Sequence, residues 1–157
     1  MAMLIQLVMG SAVLLANLAL QILAIVFVVR LLVRRIESAS APRSTGIDFR
    51  AISLVALTLF IGYLAQAAVW ALLFTFVGRQ FEAYDTAFYH SLVNFTSLGY
   101  GDIVMDDHWR LMGALEAANG VLMFGIGASA LFAIMNAVFG HNEKFAEVRR
   151  KLKSHGE

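Results

Sequence analysis

The chain has 157 residues, of which 60% are hydrophobic and 15% are charged, with one proline, no cysteine and a formal net charge of +1. A soluble globular domain is typically about 45–50% apolar and about 25% charged, so this composition indicates a membrane protein. The lack of cysteine excludes a disulfide framework, thiolate chemistry and metal sites built from cysteine.

Three apolar stretches are long enough to cross a bilayer. Residues 2–29 and 51–78 contain no charged side chain, and residues 111–140 contain one, Glu116. Each stretch exceeds the roughly 20 residues that a transmembrane helix needs. The sequence therefore predicts an all-α membrane protein with three transmembrane helices.

The first span carries small and amide residues on one face. Gln6, Gly10, Asn17 and Gln21 fall within an arc of about 60° at about 100° per residue. Residues of this kind favour helix packing in lipid, so we expect this helix to dock on the rest of the chain. The alternative is that the bilayer tolerates scattered amides.

The basic residues predict the orientation in the membrane. Ten of the twelve lie in residues 30–50 and 141–157, whereas residues 79–110 hold two arginines against five carboxylates. Short loops rich in Lys and Arg stay on the cytoplasmic side. We therefore expect a multi-pass protein of the plasma (cell inner) membrane, with the N-terminus outside and the C-terminus in the cytoplasm. The basic tail could lie on anionic lipid or be solvated.

Two carboxylates precede predicted helices. Asp48 is a candidate cap for the second span, and Asp85 is a candidate N-cap for a short helix over residues 86–96.

That short helix, residues 86–96, is too short to cross the bilayer, and "SLGYGD" follows it. Non-helical backbone at membrane depth is tolerated only where protein buries it or where it lines a water-filled cavity. The glycines permit positive backbone torsions, and four strands of this kind could present rings of carbonyl oxygen to a monovalent cation.

Residues 96–102, "TSLGYGD", resemble the potassium-channel signature T-x-V-G-Y-G-D. The stretch "WRLMGALEAANGVLMFGIGASALFAIMNAVFG" resembles the inner helix of the two-helix pore module of that family. The resemblance covers roughly residues 50–140 and leaves out the first span. The alternative interpretation is a tight extracellular turn between two spans.

The resemblance implies roles for the signature residues. The carbonyl oxygens of Ser97, Leu98, Gly99 and Tyr100 would coordinate dehydrated K⁺, and the Ser97 hydroxyl would close the innermost site. The family usually has threonine at position 97 and valine or isoleucine at 98, so weaker selectivity stays open. The residues expected to support this filter are Thr96, Gly101, Asp102, Tyr89, His90 and Glu116.

Asp102 is expected to be tied to Tyr89 or His90 of the short helix, although it could also be a solvent-facing turn residue. Many relatives carry a carboxylate where this chain has Val93. Glu116 is expected to support the filter from behind, or else to reach the outer surface. Asn119 could be a second polar anchor.

Span three is expected to line the inner cavity. By resemblance, Gly120 and Gly125 would be its gating hinge. The predicted cavity and gate residues are Val121, Phe124, Ala128, Phe132 and Asn136, spaced by three or four residues as one helix face requires. Four Phe132 rings could form a hydrophobic constriction. The alternative is that Phe132 packs against a neighbouring helix.

The whole pattern predicts a potassium-selective channel that assembles as a homotetramer and holds K⁺ ions in its filter, with no other cofactor or metal. Alternatives are a weakly selective cation channel and a non-conducting membrane subunit. No motif indicates an enzyme or a nucleic-acid partner. The expected domains are residues 1–35, an extra transmembrane helix; 36–48, a cytoplasmic linker; 49–140, the pore module; and 141–157, a short basic cytoplasmic tail.

Overall fold

The computed structural model describes residues 3–37 and 45–140, and this part of the chain is entirely helical, without strands. Helix α1 is Met3–Glu37, α2 is Thr45–Leu72, α3 is Tyr84–Phe95 and α4 is Arg110–Gly140. A π-helical segment, Leu73–Val77, continues α2. The predicted all-α class is confirmed.

Three of these helices are long and apolar enough to cross a membrane: Met3–Arg34, Phe49–Val77 and Arg110–Ala137. Many of their apolar side chains point away from the protein; Leu4, Leu15 and Phe60, for example, are 57–70% exposed. A helix that is apolar all round meets lipid on the sides that it does not pack. The three predicted spans are therefore confirmed.

The four helices form one bundle in which α1 packs against α2 and α4, and α3 packs against α2 and α4. One apolar core surrounds α3; it contains Ala67, Trp70, Phe74, Phe95, Met105, Met112 and Met123. A second core joins the end of α1 to the start of α2 through Val28, Leu32, Val55 and Leu59. The first core positions α3 and the segment that follows it.

The expected docking face of α1 is confirmed, because Gln6, Gly10, Asn17 and Gln21 are all buried. Their amides meet polar groups of α2 and α4 rather than lipid. Since lipid offers a buried amide no hydrogen-bond partner, these contacts stabilise the association of the helices.

Two helix starts differ from the sequence prediction. Helix α3 begins at Tyr84 with Ala83 as its N-cap, so Asp85 is not the cap. Its carboxylate lies in the first turn, where it suits the helix dipole, and accepts the N–H of Thr86 at 2.8 Å. Helix α2 begins at Thr45, which places Asp48 inside the first turn instead of before it. Much of the predicted linker and the whole tail, residues 141–157, lie outside the described residues.

Candidate functional site: the pore helix and the signature segment

The short helix α3 ends at a defined point against the core. Thr96 closes it, donating its hydroxyl to the Leu92 carbonyl at 2.7 Å. Beyond it, the N–H of Ser97 bonds to the Asn94 carbonyl at 2.8 Å, and the N–H of Leu98 bonds to the Val93 carbonyl at 3.0 Å. The last carbonyls of α3 therefore hold the first residues that follow the helix, as helix ends require.

Residues 96–102, the signature segment, have an alternating backbone. Ser97, Gly99 and Gly101 have φ angles of 59°, 63° and 72°, whereas Leu98 and Tyr100 between them do not have positive φ. Glycine adopts these angles without strain, as the sequence predicted. The positive φ of Ser97 was not anticipated, and for a non-glycine residue it costs on the order of 1–3 kcal/mol. The glycines occupy every second position, 99 and 101. Extending that spacing two residues towards the N-terminus reaches Ser97 and could have predicted its positive φ.

The side chains of the signature segment are uncovered in one chain. Leu98 is 55% exposed and Tyr100 is 68% exposed. A Cβ added to Gly99 or Gly101 would meet no atom within 4 Å. Within one chain, glycine is therefore required at these two positions by the positive φ angle. It is not required by any neighbouring atom.

Asp102 is tied to α3, the helix that the resemblance makes the pore helix. The phenol of Tyr89 donates to the Asp102 carboxylate at 2.7 Å, and this bond raises the pKa of Tyr89. His90, the other candidate partner, bonds instead through Nδ1 to the Ile103 carbonyl at 3.0 Å. The two neighbouring side chains thus hold Asp102, the last residue of the signature segment, and Ile103, the residue after it.

The ring of His90 is held on several sides. Its Nε2 lies 2.9 Å from the Asn94 side-chain nitrogen, so it accepts from that amide when Nδ1 donates to the carbonyl. The rings of Phe74 and Phe81 lie 5.8 and 4.9 Å from it. Burial lowers the pKa of His90, because this apolar surrounding disfavours the charged ring.

Glu116 is fully buried and does not reach the outer surface. Its carboxyl group lies beside Ser91 and Asn94 of α3, although neither carboxyl oxygen has a hydrogen bond of normal geometry. The side chain therefore lies against α3, and its role as a support of the filter stays a prediction.

Gly120 lies where α4 crosses the end of α3. A Cβ there would lie 1.8 Å from the Phe95 carbonyl oxygen, whereas a Cβ on Gly125 would meet nothing within 4 Å. Close packing therefore requires glycine at position 120, whereas it does not at position 125. The two glycines predicted as hinges have quite different surroundings.

Four of the five residues predicted to line the cavity are exposed in the single chain, as a cavity-lining face would be, and their role stays a prediction. Val121, Ala128, Phe132 and Asn136 are exposed on one side of the helix. Phe124 differs from these four, because its ring is half-buried and packs on Tyr63 and Phe95, with centroid distances of 4.4 and 5.9 Å.

Asn119, which was only suggested as an anchor, accepts two hydrogen bonds through its Oδ1. Asn17 of α1 donates at 2.6 Å and the indole of Trp70 in α2 donates at 2.9 Å. One turn along, Gln66 of α2 donates to Gln21 of α1 at 2.7 Å. The sequence analysis missed Trp70 and Gln66. Gln66 is the one amide of span two, which was a usable signal.

The described residues contain no group of three or more His, Asp or Glu side chains that could hold a metal ion. Around the signature segment the visible ion pair is Arg110 with Asp107 at 2.6 Å, both more than 70% exposed. Such a pair contributes little to stability.

A family model described as "Ion channel" matches residues 52–137. No curated protein and no solved structure gives a significant match to the chain. The matched residues run from α2 through α3 and the signature segment into α4, over more than half of the chain. The chain is a multi-pass membrane protein and belongs to this ion-channel family.

Proposed function

We propose that this ion channel conducts potassium selectively, with backbone carbonyls of Ser97, Leu98, Gly99 and Tyr100 as the ion ligands. The observation that carries the proposal is the alternation of positive φ at positions 97, 99 and 101. A backbone that alternates in this way can turn successive carbonyls towards one axis. Rings of such carbonyls replace the hydration shell of K⁺.

One chain supplies one strip of carbonyls, so we propose that four copies surround the pore. The exposure of Leu98 and Tyr100 supports this assembly, because large side chains beside an ion path need a neighbour to cover them. A crevice of about 470 Å³ behind Gly99 and Gly101, reaching Gly113 and Ala117 of α4, also lies open in the single chain.

Asp102, Tyr89 and His90 then act as supports for the filter, since each is tied by hydrogen bonds to the end of the signature segment. Support of this kind matters because carbonyl rings discriminate between ions only while they keep their spacing. The proposed setting is the plasma membrane, with the basic segments on the cytoplasmic side.

A weakly selective cation channel is the second candidate. Ser97 lacks the branched side chain that the signature usually has there, so its χ1 torsion is less restricted. Four strands that hold their carbonyls loosely would separate K⁺ from Na⁺ less well.

Purified protein in liposomes tests both candidates. A potassium gradient should drive a flux that barium blocks, and the reversal potential in mixed K⁺ and Na⁺ should follow K⁺. Gly99→Ala should abolish the flux without preventing assembly, because alanine does not readily adopt a φ of 63°. Equal permeability to both ions would favour the second candidate, and a wild-type protein without flux would remove both.

A further inference from the structure

Helix α1 contacts the start of α4 at two points with the same register. The side-chain amide of Gln6 donates to the His108 carbonyl just before α4. Asn17 donates to Asn119. Each pair joins residues 102 apart in the sequence, so α1 and α4 run in the same direction with a constant offset.

The contact between these two points is close. A Cβ on Gly10 would lie 2.6 Å from Cδ1 of Leu115, so glycine lets the two helices approach at that level. Asn17 and Asn119 are fully buried, and Asn119 also receives the Trp70 indole. Their shared hydrogen bonds therefore join α1, α2 and α4 at one level of the bundle.

The same stretch of α4 carries the pore helix on an adjacent side. Gly113 lies against the Asn94 side chain, and Gly120 lies against the Phe95 carbonyl. Glu116, between them, faces Ser91 and Asn94. The position of α3, and hence the start of the signature segment, depends on the position of α4 between residues 108 and 120.

We propose that α1 is a positioning element of the ion pathway, in which Gln6 and Asn17 hold the outer half of α4 in the register that supports the pore helix. The inference rests on the proposed potassium channel function. It gives the first helix a role in selectivity, beyond anchoring the chain in the membrane.

A helix that served only as an anchor would not need this arrangement. Apolar side chains hold a helix in lipid as well as amides do, whereas a buried amide is costly unless it is paired. One hydrogen bond lies at His108, just before α4, and the other at Asn119, near the two ends of the contact of α4 with α3 at Gly113 and Gly120. They resist both sliding and rotation of α4, which a single contact would not.

The test compares Asn17→Leu and Gln6→Leu with Leu15→Ala in the full chain, in liposomes. Leu15 is on the same helix and is 63% exposed, so its truncation controls for general effects on α1. Asn17→Leu removes one interhelical hydrogen bond. We expect the K⁺ over Na⁺ permeability ratio to fall by about threefold to twentyfold, the range that corresponds to the free energy of such a bond. Leu15→Ala should keep the wild-type ratio.

The permeability ratio is measured only on protein that assembles like the wild type, so a general loss of folding does not mimic the effect. If Asn17→Leu does not assemble, Gln6→Leu decides, because His108 is in an exposed segment and its carbonyl can bind water instead. Wild-type permeability ratios in the assembled variants would overturn the role of α1. A wild-type protein that carries no K⁺ flux would instead overturn the proposed function.

Discussion

Tyr89 and Asp102, thirteen residues apart, are joined by a hydrogen bond of 2.7 Å that spans the signature segment. Tyr89→Phe removes the donor and keeps the ring. We expect shorter openings and less sustained K⁺ flux, because Asp102 loses its tie to the pore helix.

Tyr84→Phe is the matched control for Tyr89→Phe. Tyr84 is on the same helix with the same 39% exposure, and its ring stacks on Phe88. It should leave single-channel openings unchanged. Equal effects of the two substitutions would show that the bond to Asp102 has no role in the filter.

Low pH should destabilise the protein through His90. Burial lowers its pKa below the ordinary value of 6.5, so between the two pKa values the unfolded chain binds more protons than the folded one. The free energy of unfolding therefore has its full value above about pH 7. It decreases as the pH falls from the unfolded-state pKa to the folded-state pKa. The decrease in thermal unfolding temperature of the solubilised protein below about pH 6.5 should be smaller in His90→Gln than in the wild type. An unchanged decrease in His90→Gln would refute the assignment.

Gly120→Ala and Gly125→Ala should act in opposite directions. The added Cβ at position 120 would overlap the Phe95 carbonyl oxygen at 1.8 Å, so we expect a loss of about 1–3 kcal/mol or failure to assemble. At position 125 the space is free, and alanine should stabilise the helix by about 0.5–1 kcal/mol. Thermal unfolding and size-exclusion chromatography measure both. A tolerated Gly120→Ala would mean that α4 does not cross α3 this closely.

Phe132→Ala should raise the open probability or the conductance if four of these rings form the gate. Phe132 is 67% exposed in one chain and lies about 18 Å along α4 from Gly120. Phe124→Ala is the contrast, because that ring is packed and its loss should lower the unfolding temperature. Unchanged currents in Phe132→Ala, with no reaction of Phe132→Cys with internal thiol reagents, would remove Phe132 from the pore.

The orientation can be read with single cysteines, since the chain has none of its own. In intact cells an impermeant thiol reagent should label Ala2→Cys and not Ser154→Cys, because we expect short segments rich in Lys and Arg to stay in the cytoplasm. After permeabilisation both should react. Labelling of Ser154→Cys alone in intact cells would reverse the topology.

The long-range architecture could be predicted because its signals are local. Runs without charge define the three spans, and the amides of α1 are close enough in sequence to show their common face. The resemblance predicted that Asp102 bonds to Tyr89 or His90. Only the three-dimensional structure shows that Tyr89 is the partner and that His90 bonds to Ile103 instead.

Other features depend on contacts that no local pattern reveals. Phe124 and Phe132 are equally apolar, and helical periodicity in an apolar helix cannot tell which ring finds a partner. The donors to Asn119 come from two other helices, so its role emerges only when those helices are placed. The π-helical segment Leu73–Val77 interrupts an apolar run that has no proline or charge to mark it.

That π-helical segment behaves like one residue inserted into α2. Its wide turn closes with the N–H of Gly78 on the Leu73 carbonyl at 2.9 Å. The extra residue sets the direction in which the chain leaves the helix: Gly78 meets the Trp109 ring, and Gln80 accepts the N–H of Asp106 at 3.0 Å. Deleting one residue from this turn would rotate all that follows by about 100° and separate Gln80 from the loop beyond the signature segment. The exit of α2 is therefore matched in length to the loop beyond the signature segment, and changes in chain length are far less tolerable here than changes of side chain.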